Sequence, residues 1–267
     1  MMHANDTPLI RDLDAKAVLW LTLNRISVRN ALDETLMAAL TEAFKQAAQD
    51  DSVRCIVLQG AGKVFCAGGD LNWMRRMAGA SQAVNEADAE ILARLFKTIR
   101  SCPKPVITRV HGAVYGGGLG LVAASDICIT QKETRFCFSE VKLGLAPAII
   151  MPFILEKMAL PAARHLMLTA EVFSAEKAVQ AGLAQILAED EPDAQAKLDT
   201  VLSQLGANGA GGMAATKALL YQLHYNPAQT QPDTLEAILT LCVKTLAQRR
   251  VSDEAQGRIA KFLAATP

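Results

Sequence analysis

The chain has 267 residues, enough to bury a large core as one domain or as one domain with a helical appendage. Its 27 Lys and Arg balance its 27 Asp and Glu, which argues against general binding to nucleic acid or to membrane surfaces and favours small substrates. Six cysteines without CxxC or metal-ligand spacing read as buried, reduced thiols in the cytoplasm, and neither a signal-peptide core nor a run of about 18 apolar residues is present.

In chain order, Ala17 to Leu23 is a continuous β-prone run that predicts a buried strand. From Asp33 the residues Leu36, Leu40, Ala43, Phe44 and Ala47 recur at helical spacing to about Gln49, with Asn30 or Asp33 available as N-cap. Cys55 to Leu58 is the next strand, and Phe65-Cys-Ala-Gly68-Gly69-Asp70 is a glycine turn leading into a helix over Leu71 to Met77. Residues 78–85 are small and polar and predict an irregular, mobile segment. A longer helix then runs from about Glu86 to Arg100, ended by Pro103-Lys-Pro105.

Val106 to Val110 is a third strand that feeds His111-Gly-Ala-Val-Tyr-Gly116-Gly117-Gly118-Leu-Gly120, a second glycine turn opening a buried helix. The bare N–H groups at a helix start sit at the positive end of its dipole, so this turn suits a phosphate, a carboxylate or a developing oxyanion, or serves only close packing. Strands follow near Ile127 to Gln131 and Arg135 to Phe138. After them come a buried helix over Ala148 to Met158, a short helix over Pro161 to Leu168, and one capped by Ser174 and ended by Gly182 before a strand over Leu183 to Leu187. Four helical segments close the chain: Asp193 to Leu205, Gly212 to Leu223, Thr230 to Ala247 and Asp253 to Leu263. The reading is α/β with a mainly parallel sheet and ligand loops at the C-terminal ends of strands. It divides into a core over 1–195 and a helical region over 196–267.

Five motifs occur in one order and spacing: Asn24-Arg25 with Asn30-Ala31-Leu32, Phe65 to Leu71, Pro103 to Val106, His111 to Gly118, and Ala175 to Gly182. Together they resemble the crotonase, or enoyl-CoA hydratase/isomerase, family over nearly the whole chain. The resemblance implies a spiral of ββα units with a helical C-terminal region that forms homotrimers, commonly stacked as hexamers. It implies stabilisation of a thioester enolate by the backbone N–H groups of Gly69 and Gly117, with Ala67, Asp70 and Leu71 along the substrate's CoA moiety. No cofactor is implied beyond the CoA that the substrate carries.

The chain departs from the family at the acid/base position. Many family hydratases carry two glutamates; Glu140 matches the second, and Gly120 stands where the first would be. The text Phe138-Ser-Glu140-Val-Lys-Leu-Gly-Leu-Ala-Pro147 resembles a bacterial branch acting on 3-methylglutaconyl-CoA or isohexenylglutaconyl-CoA, in leucine or acyclic-terpene breakdown, where this glycine is usual. Such substrates carry their own carboxylate, and the missing glutamate suggests that this carboxylate lies beside Gly120. The resemblance thus implies a hydratase with Glu140 as acid/base. The rivals are a Δ3,Δ2-enoyl-CoA isomerase using the same residue and, in another class, a non-catalytic acyl-CoA-binding or RNA-associated scaffold. Arg25 and Arg29 are readable either as CoA-phosphate contacts or as a solvated face, and Lys261 as a phosphate contact across a subunit boundary.

Overall fold

A computed structural model describes residues 7–225 together with Asp253 and Gly257. Its main sheet is built from β1 (Leu9–Leu13), β2 (Val18–Leu23), β3 (Cys55–Gly60), β4 (Val106–Val110), β6 (Ile127–Gln131) and β9 (Ile186–Ala188), in that spatial order. β1 pairs antiparallel with β2, and every other neighbour is parallel. Each parallel step needs a crossover, supplied in turn by α1 (Glu34–Gln49), by α2 (Leu71–Ala78) with α3 (Gln82–Ser101), and by α4 (Gly117–Ala124). The last crossover contains α5 (Met151–Lys157), α6 (Leu160–Thr169) and α7 (Ala175–Gln180). A smaller sheet of β5 (Ala113–Tyr115), β7 (Arg135–Cys137) and β8 (Phe173–Ser174) stands beside the main one.

Inside its β1 edge both faces of the main sheet are covered, which is why the inner strands read as nearly unbroken apolar runs. Leu19, Leu21, Leu23, Ile56 and Leu58 face the larger core with α1, α3 and α4. Val18, Cys55, Val57, Ile107 and Ile129 face the other side, closed by Ala194, Leu198 and Val201 of α8 (Glu191–Ala207). The expected division at 195/196 therefore falls inside a helix that completes the core. After it runs α9 (Ala210–Tyr225). The predicted helix over 230–247 and Lys261 lie outside the described residues; of the last segment, Asp253 and Gly257 are described and helical.

Several local readings sharpen. Asp33, not Asn30, caps α1, accepting from the Leu36 N–H at 2.9 Å. Asn30 is fully buried and ties two loops together: its Oδ1 accepts from the Arg25 N–H at 2.9 Å, while its Nδ2 donates to the Ala61 and Val64 carbonyls at 2.8 and 2.9 Å. α3 begins four residues earlier than its periodicity suggested, because Ser81 accepts from the Val84 N–H and opens the helix within the segment expected to be irregular. The apolar run at 148–158 yields only the short α5, in which Ile154 is buried and Leu155 is exposed.

Candidate active site

The two glycine turns, 48 residues apart in sequence, lie against each other. Cys66 bridges to Val114 of β5: the Cys66 N–H donates to the Ala113 carbonyl at 3.1 Å and the Tyr115 N–H to the Cys66 carbonyl at 3.0 Å. A Cβ on Gly68 would stand only 3.3 Å from the Tyr115 carbonyl oxygen and 3.9 Å from the Gly116 Cα.

The first turn is clipped by a parallel bridge between Gly69 and Leu32, in which the Leu32 N–H donates to the Gly68 carbonyl at 2.7 Å and the Asp70 N–H to the Leu32 carbonyl at 2.8 Å. The bridge uses the peptide groups on either side of Gly69, so the N–H of Gly69 itself points away from it, and none of the described hydrogen bonds takes that donor. In the second turn Gly116 has φ +47°, a conformation that a side chain disfavours, and its N–H donates to the Cys137 carbonyl at 3.1 Å. Gly117 is the first residue of α4, where helix geometry leaves the N–H without an internal acceptor. Two fixed donors of this kind can hold a developing oxyanion.

Glu140 opens a 3-10 turn (Glu140–Leu143) that Gly144 ends in the left-handed region. Its Oε1 lies 3.5 Å from where a Gly116 Cβ would be, which brings the carboxylate against the second turn. Its Oε2 is buried with no hydrogen-bond partner. Burial pushes the Glu140 carboxyl above the ordinary glutamate range and outweighs the lowering by a hydrogen bond from its own backbone. A carboxyl so placed can serve as a general acid or base.

The expected open space beside Gly120 is absent. A Cβ at this position would stand 2.3 Å from Phe96 Cζ and 2.7 Å from Ile150 Cγ2, and both side chains are buried. The volume that a second glutamate would use is filled by hydrocarbon, so a substrate carboxylate has no room there. Phe96 belongs to the buried face of α3, with Leu95 and Ile99.

These observations bring together Gly69, Gly117 and Glu140. The sequence matches the enoyl-CoA hydratase/isomerase family over residues 18–261. The chain belongs to that family. Enoyl-CoA hydratase AKT6-1 of Alternaria alternata is 35% identical over 199 residues, 74% of this chain and 64% of that protein, so the chain spans less than two thirds of that relative's length. The 1,2-epoxyphenylacetyl-CoA isomerase of Escherichia coli (strain K12) is 32% identical over 220 residues, covering 82% of this chain and 84% of its own. A crystal structure of an enoyl-CoA hydratase from Shewanella pealeana ATCC 700345 superposes with a TM-score of 0.88 at 37% identity, covering 97% of this chain and 95% of that one. The enoyl-CoA hydratase/isomerase fold is thus established, and hydratases and isomerases both stand among the relatives.

The other residues on and around the motifs separate into supports and bystanders. Asp70 caps α2, its Oδ1 accepting from the Asn72 and Trp73 N–H groups at 2.8 and 3.2 Å, and its Oδ2 meets Arg25 at 3.0 Å. Burial pulls the Asp70 pKa up, but the Trp73 N–H, Arg25 and the Asn72 N–H outweigh it and hold the carboxyl below its usual range. Arg25 also pairs with Asp33 at 2.8 Å, so its charge is already engaged. Ala67 is half-buried on the same turn, and Leu71 is 67% exposed, an apolar side chain presented to solvent at the rim. His111 Nε2 meets the Gly62 carbonyl at 3.0 Å, and His165 lies 3.4 Å from Glu171. Asp126 accepts from the Val106 N–H at 2.7 Å and pairs with Lys217 at 2.5 Å.

At the far end of α4 is a residue that the sequence did not single out. Lys157 Nζ donates to the Val122 carbonyl at 3.0 Å, and Ser125 Oγ donates to the same oxygen at 2.7 Å. Burial pushes the lysine down to about 8. Cys55, Cys66, Cys102, Cys128 and Cys137 are buried and free; Cys242 lies outside the described residues. Among the described residues no cluster of His, Cys, Asp and Glu has metal-binding geometry, and no helix is long and apolar enough to cross a membrane.

Proposed function

We propose that this chain hydrates an α,β-unsaturated CoA thioester, with Glu140 as its acid/base and with Gly69 and Gly117 supplying the oxyanion donors. The observation that carries the reading is a carboxylate with one buried, unpartnered oxygen, set against one of two abutting glycine turns. The thioester oxygen would accept from the two N–H groups, which favour the enolate over the ground state by ~3–4 kcal/mol per donor. Water adds at Cβ as the alkene electrons move into the enolate, Glu140 takes the proton from that water, and a proton from Glu140 completes Cα. CoA enters as part of the substrate.

We further propose a branched glutaconyl-type thioester, 3-methylglutaconyl-CoA or its isohexenyl relative, as substrate, in leucine or acyclic-terpene catabolism in the cytoplasm. Two features support it: the likeness of the Phe138 to Pro147 text to that branch, and the absence of a second carboxylate that would repel the substrate's own. Phe96 and Ile150 fill the space beside Gly120, so the distal carboxylate lies elsewhere in this reading. Ala67, Asp70 and Leu71 border the CoA path in this reading, and the working unit is a homotrimer or a pair of trimers. A Δ3,Δ2-isomerase is the second reading, favoured by the single carboxylate, since moving a proton from Cγ to Cα needs one base and no bound water. Comparing kcat/KM on crotonyl-CoA, 3-methylglutaconyl-CoA and a 3-enoyl-CoA tests this. Preference for the glutaconyl thioester supports the proposal, and turnover of the 3-enoyl thioester alone contradicts it.

A further inference from the structure

We propose that Leu32 is a positioning residue that holds the two oxyanion donors, Gly69 and Gly117, at a fixed spacing. This deepens the preceding reading and rests on its assignment of those N–H groups to the thioester oxygen. Leu32 meets the two glycines with different parts of itself. Its peptide groups form the parallel bridge to the first turn, with the Leu32 N–H donating to the Gly68 carbonyl at 2.7 Å and the Asp70 N–H to the Leu32 carbonyl at 2.8 Å. Its side chain reaches the second turn, where Cδ1 lies 2.8 Å from the position that a Cβ on Gly117 would take. Outside α4 and the adjoining chain, no other described residue comes within 4 Å of that position. One donor residue is thus clipped to the backbone of Leu32, and the other rests on its methyl group.

Leu32 is itself held from both sides of the bridge. Just before it, Arg29 and Asn30 each have φ +55°, a left-handed conformation that is costly for a residue with a side chain and persists where the surroundings enforce it. The Ala67 N–H donates to the Arg29 carbonyl at 3.1 Å, and the buried Asn30 amide fixes the same loop to the Ala61 and Val64 carbonyls. Just after it, the Arg25 guanidinium pairs with Asp33 at 2.8 Å and with Asp70 at 3.0 Å, the residues that follow Leu32 and Gly69. Leu32 is only 1% exposed, so close packing sets its rotamer. The Cys66 bridge joins the two turns earlier along the chain, whereas Leu32 joins the donor residues themselves. Shortening the Leu32 side chain leaves the bridge at Gly69 in place and removes the stop against Gly117. A misplacement of about 1 Å at a reacting centre costs on the order of 10²-fold, so the spacing of the donors is the quantity at stake.

The test compares two CoA thioesters of equal acyl length, butyryl-CoA and acetoacetyl-CoA, of which only the second ionises to a thioester enolate. Calorimetry at one fixed pH gives the ratio of Kd for butyryl-CoA to Kd for acetoacetyl-CoA in wild type, Leu32→Val, Leu32→Ala and Leu36→Ala. A ratio of affinities is independent of how much of each preparation is folded, so weakened stability does not disguise the result. Wild type is expected to favour acetoacetyl-CoA, and both Leu32 variants to lower the ratio by about tenfold or more, a part of the roughly 10²–10³-fold that a whole oxyanion donor supplies. Leu36→Ala, a truncation at a fully buried position in the first turn of α1, is expected to leave the ratio within about twofold of wild type. Ratios within about twofold of wild type in both Leu32 variants, or an equal fall in Leu36→Ala, would overturn the role of Leu32 while leaving the hydratase reading intact. A wild-type enzyme that binds both thioesters without preference would overturn the oxyanion assignment and the role of Leu32 together.

Discussion

A carboxylate buried without a partner is held at a cost to stability, and Glu140 keeps one oxygen in that state. Its raised pKa sets the sign: the penalty is fully present above the folded-state value and disappears as pH falls toward the ordinary 4.5. Glu140→Gln is therefore expected to melt higher than wild type at pH 8, with the gap closing toward pH 4.5 in thermal scans. The same substitution should lower kcat by roughly 10²–10⁴-fold with CoA-ester binding retained. In wild type, a rate that requires ionised Glu140 should fall on the acid side at a pH above that of an ordinary glutamate. At Gly120 the expectation is steric: Gly120→Ala puts a methyl 2.3 Å from Phe96 Cζ and should cost about 1–3 kcal/mol in urea denaturation. Glu140 was legible because its motif is local. The reason for Gly120 was not, because Phe96 lies 24 residues earlier on another helix and only the packed molecule brings the two together.

At the scale of elements, helices with a full apolar stripe and a capping residue could be read directly: α1 with Asp33, and α7 with Ser174 and Gly182. β1, β5 and β8 could not. β5 and β8 have three and two residues, too few to show a period, and β1 buries only Leu9, so these strands exist through their partners. The α2 start shows how an element serves the site, since Asp70 caps the helix and meets Arg25 while its own N–H closes the bridge beside Gly69. Asp70→Ala should lose ~1–2 kcal/mol through the cap alone. Asp70→Asn, which keeps the acceptor, should lose less, and chemical denaturation of the two variants distinguishes them.

For the whole molecule, the loops that carry residues 69, 117 and 140 come together because the Cys66 bridge, β5 and β7 run parallel side by side and release their following loops at one edge. The order of the strands was readable only as a fold class; the second buried face, closed by α8, needed the tertiary structure. The central claim is water addition driven by one glutamate, and incubation of the enzyme with 3-methylglutaconyl-CoA in 18O-labelled water tests it most directly. One label at Cβ of the product, lost with Glu140→Gln, is the expected result. An unlabelled product with a migrated double bond, or labelling undiminished in Glu140→Gln, would contradict it.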